Sequence, residues 1–184
     1  MVLLIVKRTE MFPDNWIYVH SPEVKVGRIQ NFNNWGNGMV TEPGVTSLEL
    51  EYFCNEGDEL WCLNDVDMIA LAKQEIQHLG LAAAAEILDG CVVRTEKAYP
   101  VYDANYRQNV SLIRQELVKL ENLQVAGRNG MHKYNNQDHS MLTGKMAADN
   151  VNANNRHYDV WRVNTDAEYL EEEGKLPTQP NPIK

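Results

Sequence analysis

Gly127-Arg128-Asn129-Gly130-Met131-His132-Lys133-Tyr134-Asn135-Asn136-Gln137-Asp138-His139-Ser140 joins two runs of different character. Before it, Leu123-Gln124-Val125-Ala126 reads as a short strand; after it, Met141 to Asn150 carries apolar residues at helical spacing. A chain that enters a helix through Asn and Asp leaves first-turn N–H groups with no intrahelical acceptor. Those donors, with the helix dipole behind them, favour an anionic or electron-rich ligand. The segment is therefore the candidate site. Its glycines suit a tight, ligand-free turn equally well, and spacing alone does not choose between the two.

Gly127-Arg128, followed by Tyr134-Asn135-Asn136-Gln137-Asp138 at a helix start, resembles the C-terminal flavin-contacting motif of the UDP-galactopyranose mutase, protoporphyrinogen oxidase and amine oxidase group of FAD proteins. Lys97-Ala98-Tyr99-Pro100-Val101-Tyr102-Asp103 resembles the segment of that group that lies between the substrate domain and the last strand of the FAD domain. The resemblance runs along the whole chain but matches only the C-terminal part of such a protein. It implies FAD as cofactor, with Gly127, Arg128, Asn136, Gln137 and Asp138 as its contacts. The helix start would then lie near the flavin N1–C2=O2 edge and stabilise the anion formed on reduction. Arg128, where many oxidases of the group carry an acidic residue, is closer to the mutase branch and implies pairing with a phosphate. Arg28 and Trp35 match where the family's substrate domain faces the ring; Tyr99 and Tyr102, phenols with an apolar face and a polar tip, and His132 in the turn are further substrate-side candidates, with packing slightly favoured for Tyr102. The implied chemistry is flavin redox on an amine or related C–H bond, or, in the mutase case, attack of reduced flavin N5 on a sugar's anomeric carbon.

Flavoproteins of this kind open with a strand, a G-x-G-x-x-G turn and a helix that receives the pyrophosphate. No such motif occurs; Gly36/Gly38 and Gly127/Gly130 are the nearest pairs. The expectation is a C-terminal fragment of an FAD-dependent enzyme acting on a small molecule, truncated or split, and inactive by itself. The alternative is a non-catalytic binding or assembly module that pairs with a chain carrying the G-x-G-x-x-G half.

The expected fold class is α+β. An antiparallel substrate-domain sheet with helices spans 1–121, and the last strand and helix of a Rossmann-like FAD domain, lacking its N-terminal half, span 122–165. An acidic, Pro-containing tail covers 166–184. Val2–Val6, Trp16–Val19, Val24–Gln30 and Thr46–Phe53 read as strands, the last two by alternation. Asn64 or Asp65 caps a helix that Gly80 stops. Glu86 to Gly90 reads as a turn approach to a strand at Cys91–Thr95. Tyr106, Val110, Ile113, Leu117 and Leu120 form one apolar helical stripe. The last helix begins at Asn136 or Gln137 with Met141, Leu142, Met146, Ala147 and Val151 inward, and Tyr158–Val163 reads as a short strand or extended segment. A strand at 123–126 without its sheet has open edges, so a homodimer is expected.

With 43% hydrophobic and 23% charged residues the chain is ordinary globular material. Its net charge of −9 argues against a nucleic-acid partner, which calls for a basic face. The opening apolar run is too short to span a membrane. Cys54, Cys62 and Cys91 form no C-x-x-C pair, which suits a reducing cytoplasm. His132 and His139 lack a third ligand at metal-binding spacing, so no metal is expected. Asp138, His139 and Ser140, consecutive on a helix, point apart and make no hydrolytic triad.

Overall fold

The computed structural model describes residues 1–36 and 38–164. The chain divides into two compact units between Glu96 and Lys97, so the helix expected with the sheet region falls in the second unit.

The first unit is a five-stranded antiparallel sheet in the order β2-β3-β4-β1-β5. Its strands are β1 (Val2–Val6), β2 (Trp16–Tyr18), β3 (Arg28–Asn31), β4 (Thr46–Glu51) and β5 (Ile87–Val92). α1 (Glu59–Cys62) and α2 (Asp65–His78) lie between β4 and β5 in the chain. Alternation puts Val2, Leu4, Val6, Ile29, Leu48 and Leu50 on one face, fully buried with Met68, Ala72 and Ile76 of α2. This apolar layer is the core, and its burial is the main driving force of the unit. Asn64 accepts the Asp67 N–H at 2.9 Å as the N-cap of α2. Gly80, at φ +70°, ends it with Gly80 N–H to Gln77 O and Leu81 N–H to Ile76 O, a Schellman closure.

The other face of β3 and β4 is polar yet closely packed. Arg28 binds the Glu51 carboxylate through Nε at 2.9 Å and through a second nitrogen at 2.6 and 2.7 Å. Gln30 Nε2 donates to Glu49 at 3.0 Å and to Glu51 at 2.7 Å. Burial, and then the charge of Glu51, pushes the Glu49 carboxyl above the usual range.

Two sequence expectations change here. The ladder of β3 starts at Arg28 rather than Val24, because the Lys25 and Val26 N–H groups donate to the buried Glu75 carboxylate at 2.6 and 3.1 Å, in place of a strand partner. Residues 87–90 are strand rather than turn. Asp89-Gly90 suggests a turn by composition, but a Cβ at Gly90 would meet Leu4 Cδ2 at 3.0 Å, Leu3 O at 3.1 Å and Ile69 Cγ2 at 3.2 Å. The glycine lets β5 lie close against β1.

The second unit contains α3 (Tyr106–Leu117), α4 (Gly127–Gly130) and α5 (Gln137–Asn152), and no strand among its described residues. Its core joins Met131, Met146, Val160 and Val163, flanked by Val125, Leu142, Ala147, Tyr158 and Trp161. Met141 and Val151, expected inward, are 75% and 65% exposed. The buried stripe of α5 instead runs through Thr143, Met146 and Asn150. Asn150 grips Tyr158 twice, accepting its N–H and donating to its carbonyl, both at 2.8 Å. Leu123–Ala126 is not a strand: Ala126 is extended (φ −152°, ψ 160°), but no described segment pairs with the run. Tyr158–Val163 is not a strand either; a 3₁₀ turn at Val160–Arg162 is capped by Asp159, whose side chain accepts the Trp161 N–H at 3.1 Å.

α3 ends at Leu117, so Leu120 of the expected apolar stripe lies beyond it; no residue of the helix is buried, and Ile113 and Leu120 are half exposed. Polar clamps hold the helix. Arg114 pairs with Asp159 at 2.6 Å and lies 5.4 Å from the Trp161 ring centre. Arg156 donates to the carbonyls of Leu117, Leu120 and Leu123 at 3.3, 2.7 and 3.2 Å. Among the described residues no helix is long and apolar enough to cross a membrane. The expected tail at 166–184 lies outside the described residues.

Candidate functional site

Gly127 takes φ +72°, a conformation that costs any residue with a Cβ. Its N–H donates to the buried Thr143 Oγ1 at 3.0 Å, and that hydroxyl donates to Ser140 O at 3.0 Å. The start of α4 is thereby tied to the first turns of α5. α4 ends in a second Schellman closure, with His132 N–H to Asn129 O and Lys133 N–H to Arg128 O. His132 occupies the left-handed position at φ +46°, where glycine is the usual residue.

Arg128 organises the loop between α4 and α5. It donates to Asn135 O through Nε at 3.2 Å and through Nη2 at 2.9 Å, and to Ala98 O through Nη1 at 3.1 Å. Its guanidinium carbon lies 4.9 Å from the Tyr99 ring centre and 4.7 Å from that of Tyr134. The two rings are nearly parallel, 7° apart, with centres 5.9 Å from each other. Among the described residues no carboxylate pairs with Arg128, so it enters the site as a cation whose position is fixed by carbonyls and aromatic rings. Tyr134 is anchored in turn: its N–H donates to Tyr102 Oη at 2.6 Å, and its carbonyl accepts from Asn164 at 2.6 Å.

Asn136 precedes α5 with an extended backbone (φ −78°, ψ 179°). Its N–H donates to His139 Nδ1 at 3.2 Å, and its carbonyl accepts the Ser140 N–H at 3.0 Å. The Gln137 and Asp138 N–H groups come before any intrahelical acceptor. Asp138 adds a carboxylate in the first turn, where it complements the dipole. This helix start opens onto a shallow cleft of about 540 Å³ lined by Arg128, Asn135, Asn136, Gln137, Ser140 and Met141.

Of the residues implicated from sequence, Arg128, Asn136 and Gln137 line the cleft; Gly127 and Asp138 shape its backbone. Tyr99 lies beside Arg128. Tyr102 packs on Tyr106, ring centres 4.4 Å apart, and Tyr106 donates to His132 O at 2.7 Å, with its ring 5.9 Å from the His132 ring. Arg28 and Trp35 belong to the first unit. Arg28 is committed to Glu51, and Trp35 stacks on Trp16 with ring centres 5.3 Å apart. Among the described residues no group of three His, Cys, Asp or Glu side chains could hold a metal.

Sequence reasoning passed over Asn135, Ser140 and Met141. Asn135 is the notable omission. It is 2% exposed, its Nδ2 donates to Lys133 O and Tyr134 O, and its Oδ1 is the one buried side-chain polar atom without a partner among the described residues. Its place directly before a helix cap was the available signal.

No family model matches the chain, and no curated protein matches it. Among solved structures it is similar to a crystal structure of reduced UDP-galactopyranose mutase, with a TM-score of 0.69 at 24% sequence identity. The likeness covers 89% of this chain and 36% of that one, so the chain spans about a third of that protein's length. The likeness is one of fold: an α+β chain with an antiparallel sheet and helices.

Proposed function

We propose that this chain is the flavin-contacting, substrate-side part of an FAD-dependent enzyme of the mutase or oxidoreductase kind. The observation that carries the reading is the start of α5, where two N–H groups precede any intrahelical acceptor beside a cation fixed by carbonyls, over an open cleft. The fold likeness to a mutase crystallised in its reduced form supports the same reading. The donor set fits one edge of a flavin: a ring carbonyl would meet the Gln137 and Asp138 N–H groups, and a cleft of about 540 Å³ is within the usual size for a bound cofactor ring. No G-x-G-x-x-G turn is present for the pyrophosphate.

Bound flavin would supply two-electron redox chemistry or a nucleophilic ring nitrogen. The chain's own residues bind and orient. The Gln137 and Asp138 N–H groups and the α5 dipole stabilise negative charge at the ring carbonyl. Gly127 and Thr143 hold the loop against α5, and Arg128 adds positive charge while fixing Asn135 and Ala98. The test is a titration of the purified chain with FAD, monitored by flavin fluorescence and visible absorbance. Saturable quenching that weakens when Gln137 is replaced by Pro, which removes an N–H, supports the reading; no saturation up to millimolar FAD rejects it.

A second reading, an assembly module that pairs with a chain carrying the nucleotide-binding half, is favoured by Leu123–Ala126. This run is extended at Ala126 and pairs with no described segment, which makes it a template for strand addition, by a second copy or by another chain. A monomer by size-exclusion chromatography with light scattering at micromolar concentration counts against the homodimeric form.

A further inference from the structure

We infer that two copies of this chain pair through the outer edge of β2, antiparallel about a two-fold axis at Ile17, so that one sheet runs through both. Neither the cleft nor its proposed ligand takes part. β2 ends the sheet order β2-β3-β4-β1-β5. The alternation of its ladder shows which backbone groups are free. Asn15 O accepts the Asn31 N–H at 2.8 Å, and the Val19 N–H donates to Gly27 O at 3.0 Å, so the odd-numbered residues face β3. Trp16 and Tyr18 therefore aim their N–H and C=O groups away from the sheet, and these groups have no partner among the described residues. The two residues are 40% and 58% exposed. An edge that presents both backbone groups and large aromatic side chains is a template for another strand.

The edge itself says which strand. Trp16-Ile17-Tyr18 reads aromatic, aliphatic, aromatic in either direction, so the run is complementary to its own antiparallel copy. Centred on Ile17, the register sets Trp16 opposite Tyr18 of the second copy, and these are the residues whose outward groups can exchange ladder hydrogen bonds. Both aromatic pairs then fall on the polar face of the sheet, beside Trp35, which stacks on Trp16 with ring centres 5.3 Å apart. Ile17 packs against the apolar core on the other face, so its meeting with Ile17 of the second copy makes the two cores continuous. One step outward, the Asp14 carboxylate faces the His20 imidazole of the second copy, and no like charges are opposed. Pro22, next on the same edge, has no N–H and ends the pairing. The opposite edge of the sheet is blunted: β5 shifts register against Ile5 and Val6 and exposes the Asp89 carboxylate.

The experiment follows the mass of the whole chain by light scattering, and its backbone amide exchange by NMR, across a dilution series from high to low micromolar. The expected result is a dimer at the high end, with the Trp16 and Tyr18 amides protected there and exchanging freely once dilution yields the monomer. Tyr18→Pro removes an N–H that β3 does not use, so the sheet is spared while each dimer loses two ladder hydrogen bonds. Dimer affinity should fall roughly tenfold or more in that variant. A monomer throughout overturns the inference. A dimer whose Trp16 and Tyr18 amides exchange freely also overturns it, and protection confined to the amides of Leu123–Ala126 assigns the contact to that run instead. Dimerisation undiminished in folded Tyr18→Pro overturns it as well. The exchange pattern of the natural sequence decides between these outcomes whether or not the variant folds.

Discussion

The Tyr52 phenol donates to Glu75 Oε2 at 2.9 Å, completing a buried carboxylate that also receives the Lys25 and Val26 N–H groups. One side chain of α2 thus closes the segment before β3 and the segment after β4. Glu75→Ala leaves two backbone donors and a phenol without their acceptor. A loss of about 2–4 kcal/mol is expected in urea unfolding. Glu75→Gln, which keeps one carbonyl oxygen, should cost about half as much.

Tyr52 makes the same junction pH-sensitive. Burial first, then the charge of Glu75 and the hydrogen bond to it, holds the phenol far above its ordinary value of 10.0. A raised folded-state pKa gives stability that is present below the unfolded value and lost as pH rises beyond it. Thermal unfolding should therefore show stability falling from about pH 10 upward. Tyr52→Phe should flatten that decline relative to the natural sequence.

Glu49 works against the fold at neutral pH. Its carboxyl is raised by burial and by Glu51, so its stabilising protonated state fades as pH climbs above the ordinary carboxyl value. Glu49→Gln keeps a carbonyl to accept from Gln30 and removes the charge. A gain below about 1 kcal/mol at pH 7 is expected, shrinking toward pH 4. A melting series of both proteins across that range checks it.

Arg128 should prove structural and functional together. Arg128→Ala removes the bonds to Asn135 O and Ala98 O and the two ring contacts. About 2–3 kcal/mol of stability is expected to go with them, and FAD quenching should weaken at least tenfold. Arg128→Lys keeps the charge but not the fork geometry, and should restore little of either.

The left-handed positions give a paired test. Gly127→Ala places a Cβ at φ +72° in otherwise open space, so only backbone strain is added, about 1–2 kcal/mol. Asn154, at φ +50° after α5, is exposed, and Asn154→Gly should stabilise by up to about 1 kcal/mol. Denaturant midpoints of the two variants should move in opposite directions.

The sheet was legible because β1 is a continuous apolar run and the segments of β3 and β4 alternate apolar with polar residues above a core that α2 completes, and α2 was legible from Asn64 and Gly80 at its ends. β5 was hidden because Asp89-Gly90 has turn composition, while its role depends on the atoms of Leu3, Leu4 and Ile69 packed over Gly90. Leu123–Ala126 has strand composition but no described partner, and a ladder is a property of two segments. In the cleft, Asn136 was marked by the glycine-to-helix pattern and Arg128 by the family resemblance. The orphaned oxygen of Asn135 was not, since satisfaction of a polar atom depends on every neighbour at once.

The anchoring of α3 has a consequence for how the second unit opens. A helix with no buried residue, held by Arg114 to Asp159 and by Arg156 to the carbonyls of Leu117, Leu120 and Leu123, cannot detach without freeing the segment after α5. The amides of α3 and of residues 156–162 should exchange with deuterium as one cooperative group, ahead of those in the middle of α5. Because the Arg114–Asp159 clamp is an ion pair, salt should hasten that exchange, with far less effect on the apolar interior of the sheet.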